Sequence, residues 1–180
     1  MKTGLLLSTV AFSLLPGGIA VAVEPTTIDY NSNVSWSNPV SNEFDGAVVH
    51  DRHTIDDYKI VSSWSKKSIR FTLSKNFSKI EGYKAVETCK NGENNERRCE
   101  FKNEPVQKSY IQRYRVSYFL ISINNKIYKY AQGSVPPRLA KALANAPKDK
   151  NAKIRIALAD AEIESEIGAG TVQAWRKIFK

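Results

Sequence analysis

The sequence predicts an α+β fold, mainly antiparallel β (a sheet, sandwich or partly open barrel), with two short helices near the C-terminus. Three observations support this. Apolar and polar residues alternate with period two from Tyr58 onward. The connections between alternating segments are of hairpin length, which favours antiparallel pairing. Helical spacing replaces the alternation in only two late segments.

The alternating segments predict individual strands. "YKIVSSW" and "SIRFTLS" predict two short strands, and Ile69, Phe71 and Leu73 share one face of the second. "YKAVETC" and "CEFKN" predict a hairpin around a polar turn. "SYIQRYRVSYFLISI" predicts the longest strand, which turns at "NNK" and returns as "IYKYAQ".

The C-terminal third combines a hairpin with the two helices. "PPRLAKALANAP" predicts a short helix bounded by prolines. "AKIRIAL" and "EIESEIG" predict a hairpin through "ADA". "GTVQAWRKIF" places Val172, Trp175 and Phe179 on one helical stripe, with Thr171 as the expected N-cap.

Residues 1–22 have the layout of a secretory signal peptide. Lys2 precedes an apolar run that ends at Pro16, and Ala20 and Ala22 satisfy the small-residue rule for cleavage after Ala22. An uncleaved anchor is the rival interpretation, but the apolar run is shorter than the roughly 20 residues of a spanning helix. We therefore expect an exported protein, periplasmic or extracellular.

The remaining chain divides into an arm and one domain. Residues 23–46 are rich in Asn, Ser, Thr and Pro and predict an extended, acidic arm. Residues 47–180 predict a single β-rich domain, since their length suits one hydrophobic core. The only two cysteines, Cys89 and Cys99, flank a polar turn, and in an exported protein this spacing predicts a disulfide.

Charge is unevenly distributed along the chain. Residues 24–58 carry a net charge of −6, residues 59–115 carry +8 and residues 116–180 carry +6. Either the acidic arm folds back on the basic body, or the basic face binds an anionic partner. Outside the cytoplasm such a partner would be a cell-envelope polymer. The chain has no nucleic-acid-binding motif, which argues against nucleic acid.

One segment could form a ligand surface. On a strand, Tyr110, Tyr114 and Tyr118 share one face, while Arg113 and Arg115 lie on the other. Tyrosine rings can stack on sugars, and guanidinium groups can bind carboxylate or sulfate. The alternative is that the tyrosines are half-buried cross-strand partners. Only one of the two faces could be the contact surface.

Both histidines lie in "VVHDRHTIDD". In a turn, His50 and His53 could bind a metal together with Asp51. On a strand, residues three apart face opposite sides and could not share an ion. The alternative is a polar edge strand or loop, in which Asp56 and Asp57 begin a turn.

Enzyme motifs are absent from the sequence. There is no G-x-S-x-G elbow and no Gly-rich phosphate loop, and no serine stands in a recognisable order with an acid and a histidine. The leading interpretation is an exported, non-enzymatic domain, without a cofactor, that binds an anionic envelope polymer or a protein partner. One alternative is a small exported hydrolase or metal-dependent enzyme around His50 and His53. Another is a structural subunit of an envelope assembly, whose arm adds to a neighbour's sheet edge.

The C-terminal stretch "ALADAEIESEIGAGTVQAWRKIF" resembles the tails of small, exported, uncharacterised cyanobacterial proteins. The resemblance covers only the last quarter of the chain and includes no catalytic motif. It implies no function and no site residue.

Overall fold

The computed structural model describes residues 22–91 and 97–180. Apart from Ala22, the predicted signal peptide (1–22) lies outside the described residues. The described part contains these strands and helices, in chain order: β1 Val40–Asn42, β2 Gly46–Ile55, β3 Tyr58–Ser65, β4 Ile69–Asn91, β5 Arg97–Tyr114, β6 Tyr118–Ile123, β7 Lys126–Tyr130, α1 Pro137–Ala144, β8 Ala152–Ala157, β9 Glu162–Ile167 and α2 Ala169–Ile178.

The strands form two antiparallel sheets. The first sheet has the order β1-β2-β3-β4-β5, and the second has the order β7-β6-β8-β9. The turn between β6 and β7 uses Asn124 and Asn125, which both have positive φ, as a two-residue hairpin turn requires. The predicted fold class, mainly antiparallel β with two short helices, is confirmed.

The core contains residues of both sheets and both helices. Trp64 of β3 is fully buried, and its ring centroid is 4.5 Å from that of Trp175 in α2 and 5.7 Å from that of Phe119 in β6. Leu139 and Leu143 of α1 are also buried. The apolar faces predicted from the alternation and from the helical stripe are therefore the faces that form the core.

The predicted long strand over residues 109–123 is wrong, because the chain changes sheet in its middle. β5 ends at Tyr114 in the first sheet, and β6 begins at Tyr118 in the second. Between them Val116 is buried, and its carbonyl accepts a hydrogen bond from the backbone N–H of Val23 at 2.9 Å. The alternation continues across this crossing, so periodicity alone does not reveal it.

Two other sequence predictions are corrected. "SIRFTLS" and "YKAVETC" belong to one strand, β4, because a β-bulge between Ile80 and Gly82 resets the alternation without ending the strand. Thr171 is not an N-cap. Gly168 takes that position, and Thr171 lies in the first turn of α2, fully buried.

The arm packs on the chain's own body. Within residues 23–46, Val23 is buried, β1 pairs with β2, and the backbone N–H of Ser37 donates to the carbonyl of His50 at 2.7 Å. In the described residues, neither helix is long and apolar enough to cross a membrane.

Candidate functional site

The basic face of the first sheet is occupied by the arm. Arg70 forms ion pairs with Glu24 at 3.3 Å and with Asp45 at 3.2 Å, and Arg113 forms one with Asp29 at 3.1 Å. The acidic arm therefore neutralises part of the basic body from within the same chain. An anionic ligand at Arg70 or Arg113 would compete with these carboxylates.

The three tyrosines of the predicted ligand surface have separate surroundings. Tyr110 stacks on Phe77, with ring centroids 5.5 Å apart, and Tyr114 meets Tyr58 edge-on at 5.3 Å. Tyr118 lies in the second sheet.

The Tyr118 side chain contacts Lys129 at one face of its ring and Glu162 at its hydroxyl. The Lys129 ammonium lies 3.8 Å from its ring centroid, and its hydroxyl donates to Glu162 at 3.3 Å. Arg113 is on the opposite face of β5 from Tyr114, and Arg115 lies beyond the end of that strand. The structure therefore does not bring the five predicted ligand residues together on one surface.

A long two-stranded ribbon projects from the first sheet. β3 pairs with β4 only as far as Lys75, and beyond it residues 76–91 of β4 and 97–111 of β5 pair only with each other in the described part of the chain. We call these two segments the ribbon. At roughly 3.3 Å per residue it extends about 50 Å beyond the end of β3.

Apolar side chains are exposed along the ribbon. Phe101 is 73% exposed, Ile111 and Tyr83 are each 68% exposed, and Phe77, Ile80 and Val106 are also exposed. These are six of the eight large apolar side chains that the described residues leave exposed. A two-stranded hairpin is only marginally stable in water, so the concentration of apolar surface here is typical of an element that binds something else.

A disulfide closes the distal end of the ribbon. Cys89 of β4 and Cys99 of β5 are directly opposite each other, with an S–S distance of 2.09 Å, which confirms the predicted pairing. Glu87 lies close to both sulfur atoms. Because both cysteines are in the disulfide, this group offers no thiolate to a metal.

The two histidines, His50 and His53, point to opposite faces of β2. His50 is buried, and its Nδ1 is 2.9 Å from the Ser63 hydroxyl, which is 2.6 Å from the hydroxyl of Thr26. Burial lowers the pKa of His50 below its usual value, because desolvation disfavours the imidazolium. His53 points to the other side of the strand, so His50 and His53 do not face a common point.

Asp51 and His53 form a polar chain with Ser165 of β9. The Asp51 carboxylate accepts from His53 Nδ1 at 3.3 Å, and His53 Nε2 is 2.6 Å from the Ser165 hydroxyl. Asp51 also accepts a hydrogen bond from Thr171 at 2.7 Å, and Thr171 in turn accepts from Ser37. With Nδ1 donating to the carboxylate, Nε2 is the nitrogen that can accept the serine proton.

The polar chain opens onto a cavity of about 650 Å³. His53 and Ser165 line it together with Ile121, Ile154 and Lys153. Asp51 is nearly buried and the His53 side chain is 20% exposed. The acid is thus shielded from water, while the histidine and the serine lie where a small molecule could reach them.

Sequence reasoning missed both the ribbon and Ser165. A signal for the ribbon was present, because residues 76–112 contain seven basic and six acidic side chains among exposed aromatic and aliphatic ones, an unusual mixture for a packed hairpin. No local signal pointed to Ser165, which is 112 residues from His53.

The chain matches no protein-family model, and no curated protein or solved structure is significantly similar to it. Its candidate sites are therefore interpreted from their own geometry and chemistry.

Proposed function

We propose that the protein is an exported binding protein whose projecting ribbon contacts a protein partner. The observation that carries this proposal is the ribbon, a disulfide-closed, two-stranded element with six exposed large apolar side chains. A folded body that buries its core well does not need this surface for its own stability. Binding of a partner would account for it.

The chemistry of the ribbon favours a polypeptide over an anionic polymer. Residues 76–112 have a net charge of only +1, because seven basic side chains are balanced by six acidic ones. The outer edge of β5 also offers backbone donors and acceptors that no described strand uses. Edge pairing with a second polypeptide satisfies these groups, whereas a polysaccharide or lipid head group does not match their spacing.

Site-specific photo-crosslinking tests the proposal. The photoreactive residue p-benzoylphenylalanine is placed at Phe101 or Tyr83 on the ribbon, and at Ile127 on the second sheet as a control. Ile127 is a matched position because it is 72% exposed, compared with 73% for Phe101. We expect protein cross-links from the ribbon positions and none from Ile127 in cells that export the protein. Equal cross-linking from all three positions would contradict a role specific to the ribbon.

Salt dependence separates the polymer interpretation from the protein one. Co-sedimentation with envelope fractions is measured at low and high salt. Retention that is lost at high salt and reduced by Arg113→Ala and Arg115→Ala would favour an anionic polymer on the basic face. We expect these two substitutions to leave retention unchanged.

The alternative function is ester or amide hydrolysis, and the Asp51–His53–Ser165 chain favours it. Its connectivity is that of a catalytic triad, with the acid on Nδ1 and the serine on Nε2. In this reaction Ser165 Oγ attacks the acyl carbon while His53 takes the serine proton and passes it to the leaving group. Water then releases the acid and regenerates the serine hydroxyl.

A fluorophosphonate probe tests the alternative, because it forms a covalent bond only with an activated serine. Labelling that Ser165→Ala and His53→Ala abolish would establish a nucleophile. Ser122→Ala is the matched control, since Ser122 lines the same cavity. Absence of labelling in the folded wild-type protein would dismiss the hydrolase and leave the binding proposal intact.

A further inference from the structure

The outer edge of β5 is an open strand edge with a defined set of outward-facing backbone groups. Opposed Cα atoms lie about 4.5 Å apart in antiparallel pairs without hydrogen bonds and about 5.5 Å apart in hydrogen-bonded pairs. Cys89 and Cys99 have a Cα–Cα distance of 4.0 Å, so they form a pair of the first kind. Pro105, opposite Tyr83, falls in the same class, which suits a residue that has no N–H to donate to β4.

Since the two kinds of pair alternate, the odd-numbered residues of β5 direct their N–H and C=O groups away from β4. Phe101 is in the middle of this outward-facing set in the distal half of the ribbon. The even-numbered residues direct these groups toward β4, and their side chains share the face opposite Phe101.

The even-numbered side chains of the distal half alternate in charge. Arg98, Glu100, Lys102 and Glu104 read plus, minus, plus, minus along one face of β5. Such a pattern is complementary to itself when the strand meets a second copy running in the opposite direction. The ribbon therefore has the charge pattern of a symmetric interface.

We propose that two copies of this chain pair antiparallel through the outer edges of β5, around a two-fold axis at Phe101. Glu100 then faces the partner's Lys102, and Arg98 faces the partner's Glu104. Phe101 meets the partner's Phe101 on the opposite face. The two ribbons become one four-stranded sheet, joined by about eight backbone hydrogen bonds. The inference rests on the proposed role of the ribbon as the contact element and names its partner.

The charge pattern disfavours three neighbouring registers. Moving the axis by one residue, to Glu100 or to Lys102, places two like charges against each other at the axis itself. Moving it to Asn103 sets Arg98 against the partner's Lys108. Like charges directly opposite each other on a sheet are destabilising. An axis at Cys99 keeps Arg98 opposite the partner's Glu100 but leaves only residues 97–101 of the described β5 in the contact.

An axis at Val106 would allow the two β5 strands to overlap over a longer stretch, but the overlap would extend past the end of β5 at Tyr114. It sets Arg97 against the partner's Arg115, which lies beyond Tyr114, where the chain leaves the first sheet. The axis at Phe101 confines the contact to residues 97–105, well clear of the body. With this axis, Arg97 lies opposite the partner's Pro105. Pro105 has no N–H to donate, and its position is at the end of the row of hydrogen bonds between the two β5 strands.

Sedimentation equilibrium over a range of concentrations tests the pairing, with the purified, disulfide-intact protein. We expect a reversible dimer. Glu100→Lys or Lys102→Glu alone should raise the dissociation constant at least tenfold, because each creates like-charge pairs on both sides of the axis. The double substitution exchanges the two charges and should restore dimerisation. Lys79→Glu, an exposed charge change on β4, serves as the matched control and should leave the dimer unchanged.

The outcomes separate this inference from the proposed function. A monomer at all concentrations overturns the self-pairing. If Phe101 still cross-links another protein in cells, the ribbon keeps its proposed binding role. A dimer that Glu100→Lys does not weaken, or that the double substitution does not restore, overturns the register. A monomer whose ribbon cross-links nothing overturns both.

Discussion

The strands β4 and β5 run through both the body and the ribbon. The apolar side chains of β4 are buried in the body, and most large apolar side chains of both strands are exposed on the ribbon. On β4, Leu73 is fully buried in the body, whereas Ile80 and Tyr83 further along the strand are 47% and 68% exposed. The change occurs where β3 ends and no other described strand pairs with β4 and β5 any longer. Burial in this protein thus depends on which neighbours a strand has rather than on the strand's own composition.

The largest expected effect comes from the aromatic cluster of the body. Trp64→Ala should lower the free energy of unfolding by about 3–5 kcal/mol, because it leaves a cavity beside Phe71, Phe119 and Trp175. Phe101→Ala on the ribbon is the matched control, with an expected change within about 0.5 kcal/mol at protein concentrations at which the chain is monomeric. Urea denaturation measures both. Equal losses would mean that the ribbon contributes to the core and would remove the basis of the comparison.

The same contrast explains what the sequence could predict. In β8 and β9 one face is buried, so the alternation identifies both strands together with their inward residues. In the ribbon both faces meet solvent, and the bulge near Gly82 interrupts the pattern. In the ribbon, alternation therefore cannot show that two predicted strands belong to the single strand β4.

The polar chain of the candidate catalytic site depends on packing between sheets. Asp51 and His53 are two residues apart on β2, a spacing that predicts a shared face. Their contact with Ser165 depends on how β9 and α2 pack on β2, which no local pattern specifies. Long-range contacts of this kind require the topology, and the sequence alone left the topology open among sheet, sandwich and barrel.

Removing the disulfide should loosen the ribbon and leave the body unchanged. In the double variant Cys89→Ser/Cys99→Ser, we expect the free energy of opening the distal ribbon to fall by about 2 kcal/mol, because the short closed loop no longer restricts the open state. Hydrogen exchange of residues 83–90 should then accelerate about thirtyfold. Exchange in β3 is the internal control, and faster exchange there would show that body and ribbon unfold as one unit.

An effect of similar size is expected from the buried hydrogen bond of Thr171. Thr171→Val keeps the shape of the side chain but removes the donor to the Asp51 carboxylate, at a cost of about 1–3 kcal/mol. Tyr110→Phe removes a hydrogen bond to Glu81 on the ribbon, where water can replace it. We expect little change in the free energy of unfolding from that control. Equal losses in the two variants would mean that burial does not distinguish the two regions.

The smallest expected effect is a pH dependence that belongs to the body alone. His50 has a lowered pKa in the folded protein because it is buried against Ser63, so the unfolded chain binds its proton more readily. Its contribution to stability is fully present above the unfolded pKa of about 6.5 and is lost as the pH falls below that value, with a slope of at most about 1.4 kcal/mol per pH unit. The slope should be shallower in His50→Gln.

Two probes assign this dependence to a region. All three tryptophans lie outside the ribbon, so their fluorescence in urea titrations from about pH 8 to about pH 5 reports the stability of the rest of the protein. Residues 76–112 contain no histidine. The difference between wild type and His50→Gln should therefore appear in the fluorescence midpoints and be absent from the exchange rates of the distal ribbon, once these are corrected for intrinsic pH effects. A matching difference in the ribbon would show that the two regions open together, and the ribbon could then not be treated as an independent contact element.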